Sequence, residues 1–439
     1  MPVHRLAAGA TVRALRASTV AALAGWASLL ATVWWWGLWR VGHSRGDLKL
    51  DAIPLYGQWD WEISWRILVP VTAAAALIAL LPRGVRKLRW PWDALVASVA
   101  AAGWSLALAV VDPGPQVWED VERAYGQHVE LVNSVGIEMF VRDYTDQQPG
   151  YPVHLQAHPP GLVVGLWAAS RAGLSGPAFL TTLALLGVAG SVVAALAVVR
   201  NVAGLPWSRA AAPFIVLVPA AVWHTNADVI FGGFALVGVA CAVVATSRRR
   251  RRAVWLATVG GIVLGAALLL SYGAALMAIL ALMIGLWRRR WLVVAVTGGA
   301  AVAMVLMPLA WGFWWWDGLL VTHQQYVAGV AAVRGYEYFV VANLAVFALA
   351  LGPATVVAFT RLRDRRMWIV VTTGLAIVLA ADLSGLSAGE TERIWQPFVP
   401  LVAVAGAALG LDSPTRTRQW LGLQAAVAVT LQAALRSPW

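Results

Sequence analysis

The sequence predicts an all-α, polytopic integral membrane protein of about thirteen transmembrane helices with a large extracytoplasmic loop. Three observations predict it. Hydrophobic residues fill 60% of 439 positions and charged ones only 12%, whereas a soluble chain is about 25% charged. Apolar runs of membrane-crossing length recur from one end of the chain to the other. The arginines behind the formal charge of +12 fall in short clusters between those runs, which is the positive-inside pattern of a membrane protein and not a nucleic-acid-binding surface. The single cysteine, Cys241, lies in an apolar run and offers neither an intrachain disulfide nor a cysteine-ligated metal site.

A helix needs about 20 residues to cross ~30 Å of hydrocarbon. Spans are expected near 18–40, 66–82, 91–111, 178–199, 210–224, 229–246, 254–270, 273–287, 291–311, 338–358, 367–384, 396–411 and 419–435. The first follows Arg5, Arg13 and Arg16 and is too long for a signal-peptide core, so it is read as a retained span. With this count Arg83/Arg86/Lys87/Arg89, Arg248 to Arg252, Arg288 to Arg290 and Arg361/Arg363/Arg365/Arg366 share one side with the N-terminus. The positive-inside rule makes that side the cytoplasm, and the membrane the cytoplasmic (inner) one. Parity then requires the apolar stretch 160–174 to enter from outside as a half-helix. Alternatively it spans, and one short segment between 210 and 287 does not. The chain divides into 1–90, two transmembrane helices with an external loop; 91–411, a transmembrane core with the external loop 112–158; and 412–439, a last transmembrane helix.

That loop is chemically distinctive. Between Asp112 and Ala157 eight carboxylates, Glu119, Asp120 and Glu122 among them, face two arginines, Arg123 and Arg142. Connections of this length are usually functional. Within it Glu119–Gly136 has apolar residues at helical spacing and a terminal glycine, which predicts one amphipathic helix on the membrane surface. Other outer segments are 41–65, with Asp47, Asp51, Asp60 and Glu62; 312–337; and 383–395, with Glu390, Glu392 and Arg393.

Four motifs follow one another with a shared sidedness. Glu119-Asp120-Val121-Glu122-Arg123-Ala124-Tyr125 lies beyond a span, and His158-Pro159-Pro160-Gly161 starts a helix downstream in the same loop. Pro219-Ala-Ala-Val-Trp-His224-Thr-Asn-Ala-Asp228 follows, and then Gly389-Glu-Thr-Glu392-Arg393-Ile-Trp-Gln-Pro397-Phe-Val-Pro400 precedes a late span. In this order they resemble the GT-C class of polyprenyl-phosphate-sugar glycosyltransferases, of the mannosyl- and arabinosyltransferase kind. Leu270-Ser271-Tyr272 stands where many members have Lys-Tyr, which is a departure. The resemblance covers roughly 90–400 and leaves out the two N-terminal spans. It implies a catalytic carboxylate in the first large external loop and a hexosyl or pentosyl transfer.

The residue chemistry gives each candidate a role and a plainer alternative. Transfer needs a base for the acceptor hydroxyl proton, and Asp120 is the candidate, with Glu119, Glu122 or Asp228 as substitutes. Acids also favour helix N-termini for their dipole alone. Arg393 is the candidate for the lipid phosphate, because its fork matches phosphate oxygens; otherwise it pairs with Glu390 or Glu392 and anchors a helix end. His158 either contributes to the substrate site or caps the helix begun by Pro159-Pro160. His224 and Asp228, four apart, are expected to share a helix face. Most of the 26 tryptophans belong to interfacial belts, but Trp118 beside Asp120 and Trp395 beside Arg393 are placed to stack on a sugar. No cofactor is expected. His154 and His158 with Asp143 and Asp146 leave a divalent ion open without a recognised metal spacing.

The sequence therefore leads to extracytoplasmic transfer of a sugar from a polyprenyl-phosphate donor to a glycan, lipid or protein acceptor, by an inverting, metal-optional enzyme among membrane lipids and without nucleic acid. The alternative is a transporter or flippase of a lipid-linked or anionic solute. Transporters place ionisable groups near the midplane, where this chain has almost none.

Overall fold

A computed structural model describes residues 2–43, 48–114, 116–411 and 413–438; Asp47 and the side chains of Arg5 and Arg13 lie outside it. Among the described residues nine helices are long and apolar enough to cross a membrane: Arg16–Gly42, Trp65–Lys87, Trp92–Ala109, Pro177–Val202, Asp228–Ala245, Arg250–Leu270, Trp291–Trp311, Tyr336–Arg361 and Arg365–Leu383. The chain is an all-α, multi-pass membrane protein.

The remaining four expected spans are shorter, broken or more polar. Leu205–Val216 gives way to the 3-10 turn Pro219–Trp223, and Ala278–Trp287 follows the 3-10 stretch Tyr272–Met277. Gln396–Gly410 alternates 3-10 and α turns around Pro397 and Pro400, which have no N–H to offer a continuous helix. Pro414–Ala434 is long, but it opens on Pro-Thr-Arg-Thr-Arg-Gln.

Side-chain contacts sort the helix ends into two sets. At one end the basic clusters meet: Arg209 pairs with Asp93 at 3.0 Å, Arg86 donates to the Gly410 carbonyl at 2.7 Å, and Arg288 donates to Thr246 at 2.7 Å. At the other end lie the acidic loop, Asp228, Arg334, Glu390 and Arg393. Helix Gly161–Arg171, at 11 residues, is only about 16 Å long. It stays at the acidic end, where Trp167 donates to Asn133 of the loop at 3.1 Å. The next helix, Pro177–Val202, starts from the same end, with Thr181 donating to the Trp118 carbonyl at 3.0 Å. The 160–174 stretch therefore begins and ends at the acidic end.

Small residues let the backbones approach, as membrane packing requires without a hydrophobic driving force. A Cβ on Gly233 would lie 2.6 Å from the Gly187 carbonyl oxygen, so helices Pro177–Val202 and Asp228–Ala245 touch main chain to main chain. Helix Tyr336–Arg361 breaks at Gly352 (φ 75°) before Pro353. Buried Gln424 answers the freed groups there, donating to Leu351 O at 2.9 Å and accepting from Ala354 N at 3.2 Å.

The surface helix expected over 119–136 is two pieces. Gln116–Ala124 ends at Tyr125 (φ −139°), a 3-10 turn spans Gly126–His128, and Val129–Val135 then runs to Gly136. The C-terminal residues Leu435–Arg436 pair antiparallel with Gln58–Trp59, which ties the last helix to the first external loop.

Candidate functional site

The acidic end is organised around one buried arginine. Gly389 (φ 85°) and Glu390 (φ 59°) form a left-handed turn before the short helix Thr391–Ile394. The turn folds the Glu390 carboxylate back onto Arg393, at 3.1 Å. The other prong of Arg393 donates to Asp228 at 2.7 Å. Asp228 is the first residue of helix Asp228–Ala245, where the dipole favours a carboxylate, and Asn226 accepts from its N–H at 2.8 Å. Glu390 reaches a second buried arginine, Arg334, at 3.2 Å. Arg334 also donates to the carbonyls of Leu48, Lys49 and Ala388, so two distant segments close on it. Two carboxylates and two arginines alternate through this chain.

Asp120 faces the same arginine from the loop. It is 8% exposed on helix Gln116–Ala124, with Arg123 at 4.0 Å. Burial pushes its carboxyl up to about 7 against the opposing pull of Arg393 and Arg123, and the nearby Asp228 adds to the rise. A carboxyl poised there is half ionised at neutral pH, which suits a general base. Glu119, one position away, is turned about 100° around the helix from it. Glu122 folds over Gly126. Of the three loop carboxylates, Asp120 alone is brought to Arg393.

The helix break turns Tyr125 inward. Its ring is 2% exposed and meets His154, His158 and Phe231 at 5.9, 6.1 and 6.1 Å. Burial and the charge of Asp228 hold the phenol well above its ordinary range, so it stays protonated. His154 and His158 are pulled down to about 4 and about 3, first by burial and then by Arg393, so both are neutral at pH 7. His158 keeps a hydrogen bond to the Leu270 backbone.

Other expected participants lie elsewhere. His224 and Asp228 do not share a helix face, because the helix begins only at Asp228. His224 instead meets Ser105 at 2.8 Å and Gln396, beneath the site. Glu392 accepts from the Tyr56 backbone N–H at 3.0 Å, and burial pushes it up to about 7 against the weaker pull of Arg393. Trp395 is 1% exposed and packs against Phe347 in the core, so its ring has no face to offer a sugar. Trp118 stays partly exposed beside Asp120. Asp143 pairs with Arg142 at 2.8 Å, and among the described residues no three His, Cys, Asp or Glu side chains gather as a metal site.

Sequence reasoning offered the Arg393–Glu390 pair but missed the inward turn of Tyr125, Arg334 and the second contact of Glu390 with it. An arginine standing alone in an outer segment, and a tyrosine next to a glycine inside an expected helix, were the available signals. No protein-family model and no curated protein sequence matches the chain.

Proposed function

We propose that the chain is an inverting, GT-C-like glycosyltransferase that takes a sugar from a polyprenyl-phosphate donor outside the cytoplasmic membrane. The observation that carries this reading is Asp120, a buried carboxyl poised at about 7, opposite the buried fork of Arg393 at one end of the helix bundle. Asp120 takes the acceptor hydroxyl proton as that oxygen attacks the anomeric carbon. The bond from that carbon to the phosphate oxygen breaks, and its electron pair leaves with the polyprenyl phosphate, whose charge Arg393 meets. A single displacement inverts the anomeric centre. Before donor binds, Asp228 and Glu390 occupy the guanidinium.

The topology that goes with this reading has thirteen crossings and a cytoplasmic N-terminus. It is supported by the four segments 205–224, 272–287, 396–410 and 414–434, which run between the same two sets of ends, and by the basic clusters gathered at one of them. A transporter would need a polar path between the faces. No Asp, Glu, Lys or Arg occupies the middle of any of the nine long helices, which favours the enzyme.

Purified protein incubated with a panel of labelled polyprenyl-phosphate sugars and candidate glycan acceptors is expected to release polyprenyl phosphate with one of them. Transport of the intact lipid sugar across proteoliposomes, with no bond cleaved, overturns the proposal.

A further inference from the structure

The Tyr125 hydroxyl is buried and has no hydrogen-bond partner among the described residues, and neither has Nδ1 of His158. Buried polar groups are almost always satisfied, so two orphans whose rings meet mark a place that something else fills. Their chemistry is complementary. The phenol keeps its proton and donates. His158 is neutral and its bond to the Leu270 backbone uses the other ring nitrogen as donor, which leaves Nδ1 as a bare acceptor. A hydroxyl, of a sugar or of a water whose place that sugar takes, both accepts from the one and donates to the other. Phosphate and carboxylate oxygens have no proton to give Nδ1, and an ammonium cannot accept from the phenol. Arg393, Asp228 and Asp120 all act on the charge of Tyr125 and Arg393 acts on His158, so the pair lies near the proposed base and the proposed phosphate site.

We infer that Tyr125 and His158 together hold one hydroxyl of the sugar being transferred, which makes them the residues that read the sugar and not the lipid. This rests on the glycosyl-transfer reading above. It accounts for the break in the loop helix at Tyr125, since an unbroken helix would carry the ring on past this position. It also makes the pair unfavourable in the empty protein, a cost that sites built for a polar ligand accept.

The test compares binding of polyprenyl-phosphate mannose and polyprenyl-phosphate arabinose with that of bare polyprenyl phosphate, on the full-length protein in detergent. Wild type is expected to prefer one sugar-bearing lipid over the bare one. Tyr125→Phe is expected to lose roughly tenfold in affinity for that lipid, to bind the bare lipid as wild type does, and to melt at or above the wild-type temperature because the orphan hydroxyl is gone. His158→Leu is expected to lose the same preference. The double variant is expected to lose little more than the worse single one, because both residues hold one group. Losses that multiply in the double variant, an unchanged preference in Tyr125→Phe, or weakened binding of the bare lipid each overturn the inference. If wild type itself does not distinguish sugar-bearing from bare lipid, this inference fails, whereas the glycosyl-transfer reading stands or falls separately on release of polyprenyl phosphate in the panel assay.

Discussion

Asp120 carries a carboxyl whose proton the folded protein holds up to about 7, whereas the free side chain gives it up near 3.8. Two opposite pH dependences follow. Folding takes up a proton between those values, so the contribution of this group to stability is most favourable below about 4, declines as pH rises to about 7 and is flat above. Catalysis needs the ionised form, so turnover should rise through pH 7 as stability falls. Asp120→Asn is expected to lower turnover ~10²–10⁴-fold, to abolish that limb, and to melt no lower than wild type at pH 8. Glu392 is also pushed up to about 7, but glutamine keeps an oxygen for the Tyr56 N–H, so Glu392→Gln should retain the limb. A pH–rate profile on both variants separates them; a limb lost in Glu392→Gln instead moves the base away from Asp120. Arg393 answers two carboxylates at once. Arg393→Ala leaves both without it and should cost about 3–5 kcal/mol of stability, so donor affinity has to be read per folded molecule. Lysine restores one contact and should recover part of both quantities.

Among the elements, the half-length helix Gly161–Arg171 and the glycine contact between two long helices make separate forecasts. A cysteine at Leu174, just after that half-helix, should be labelled from the same side of the membrane as one at Gln127 in the acidic loop. One at Arg250 should be labelled only from the other side; Leu174 labelling with Arg250 would mean that 160–174 crosses. Replacing Gly233, whose added Cβ would press on the Gly187 backbone at 2.6 Å, with leucine should cost about 1–3 kcal/mol or more. Gly298→Ala is the control, since nothing lies within 4 Å of a Cβ there. Equal melting temperatures for the two variants would show that the close approach carries no weight.

Across the whole molecule, the C-terminus closes the acidic end. Arg436 pairs with Glu62 at 2.6 Å, Asp112 at 3.5 Å and Asp60 at 3.6 Å, and Arg123 donates to the Pro438 carbonyl at 3.0 Å. The last residues thus link the first external loop to the loop that carries Asp120. Arg436→Glu sets a fourth carboxylate among three and should speed proteolysis within both 41–65 and 112–128 while sparing the membrane helices. Unchanged cleavage in both loops would show that the three pairs are too solvated to hold them.

The sequence by itself determined the membrane class, the positions of the nine long helices among thirteen expected spans, the grouping of basic clusters away from the acidic loop, and Asp120, Arg393, Asp228 and His158 as residues of one end. Those features are written locally, in runs of about 20 apolar residues and in the charges between them. Only the tertiary structure decided which of three neighbouring carboxylates meets Arg393, that Asp228 and not Glu392 is its partner, that His224 and Trp395 belong to the packing beneath, and that Tyr125 turns inward. Each of these depends on a contact between residues far apart in the chain: Arg393 with Asp228 is 165 positions away and Arg334 with Leu48 is 286. Helical periodicity fixes a side chain's direction only relative to its own helix axis. Which neighbour waits in that direction is set by how the helices pack against one another.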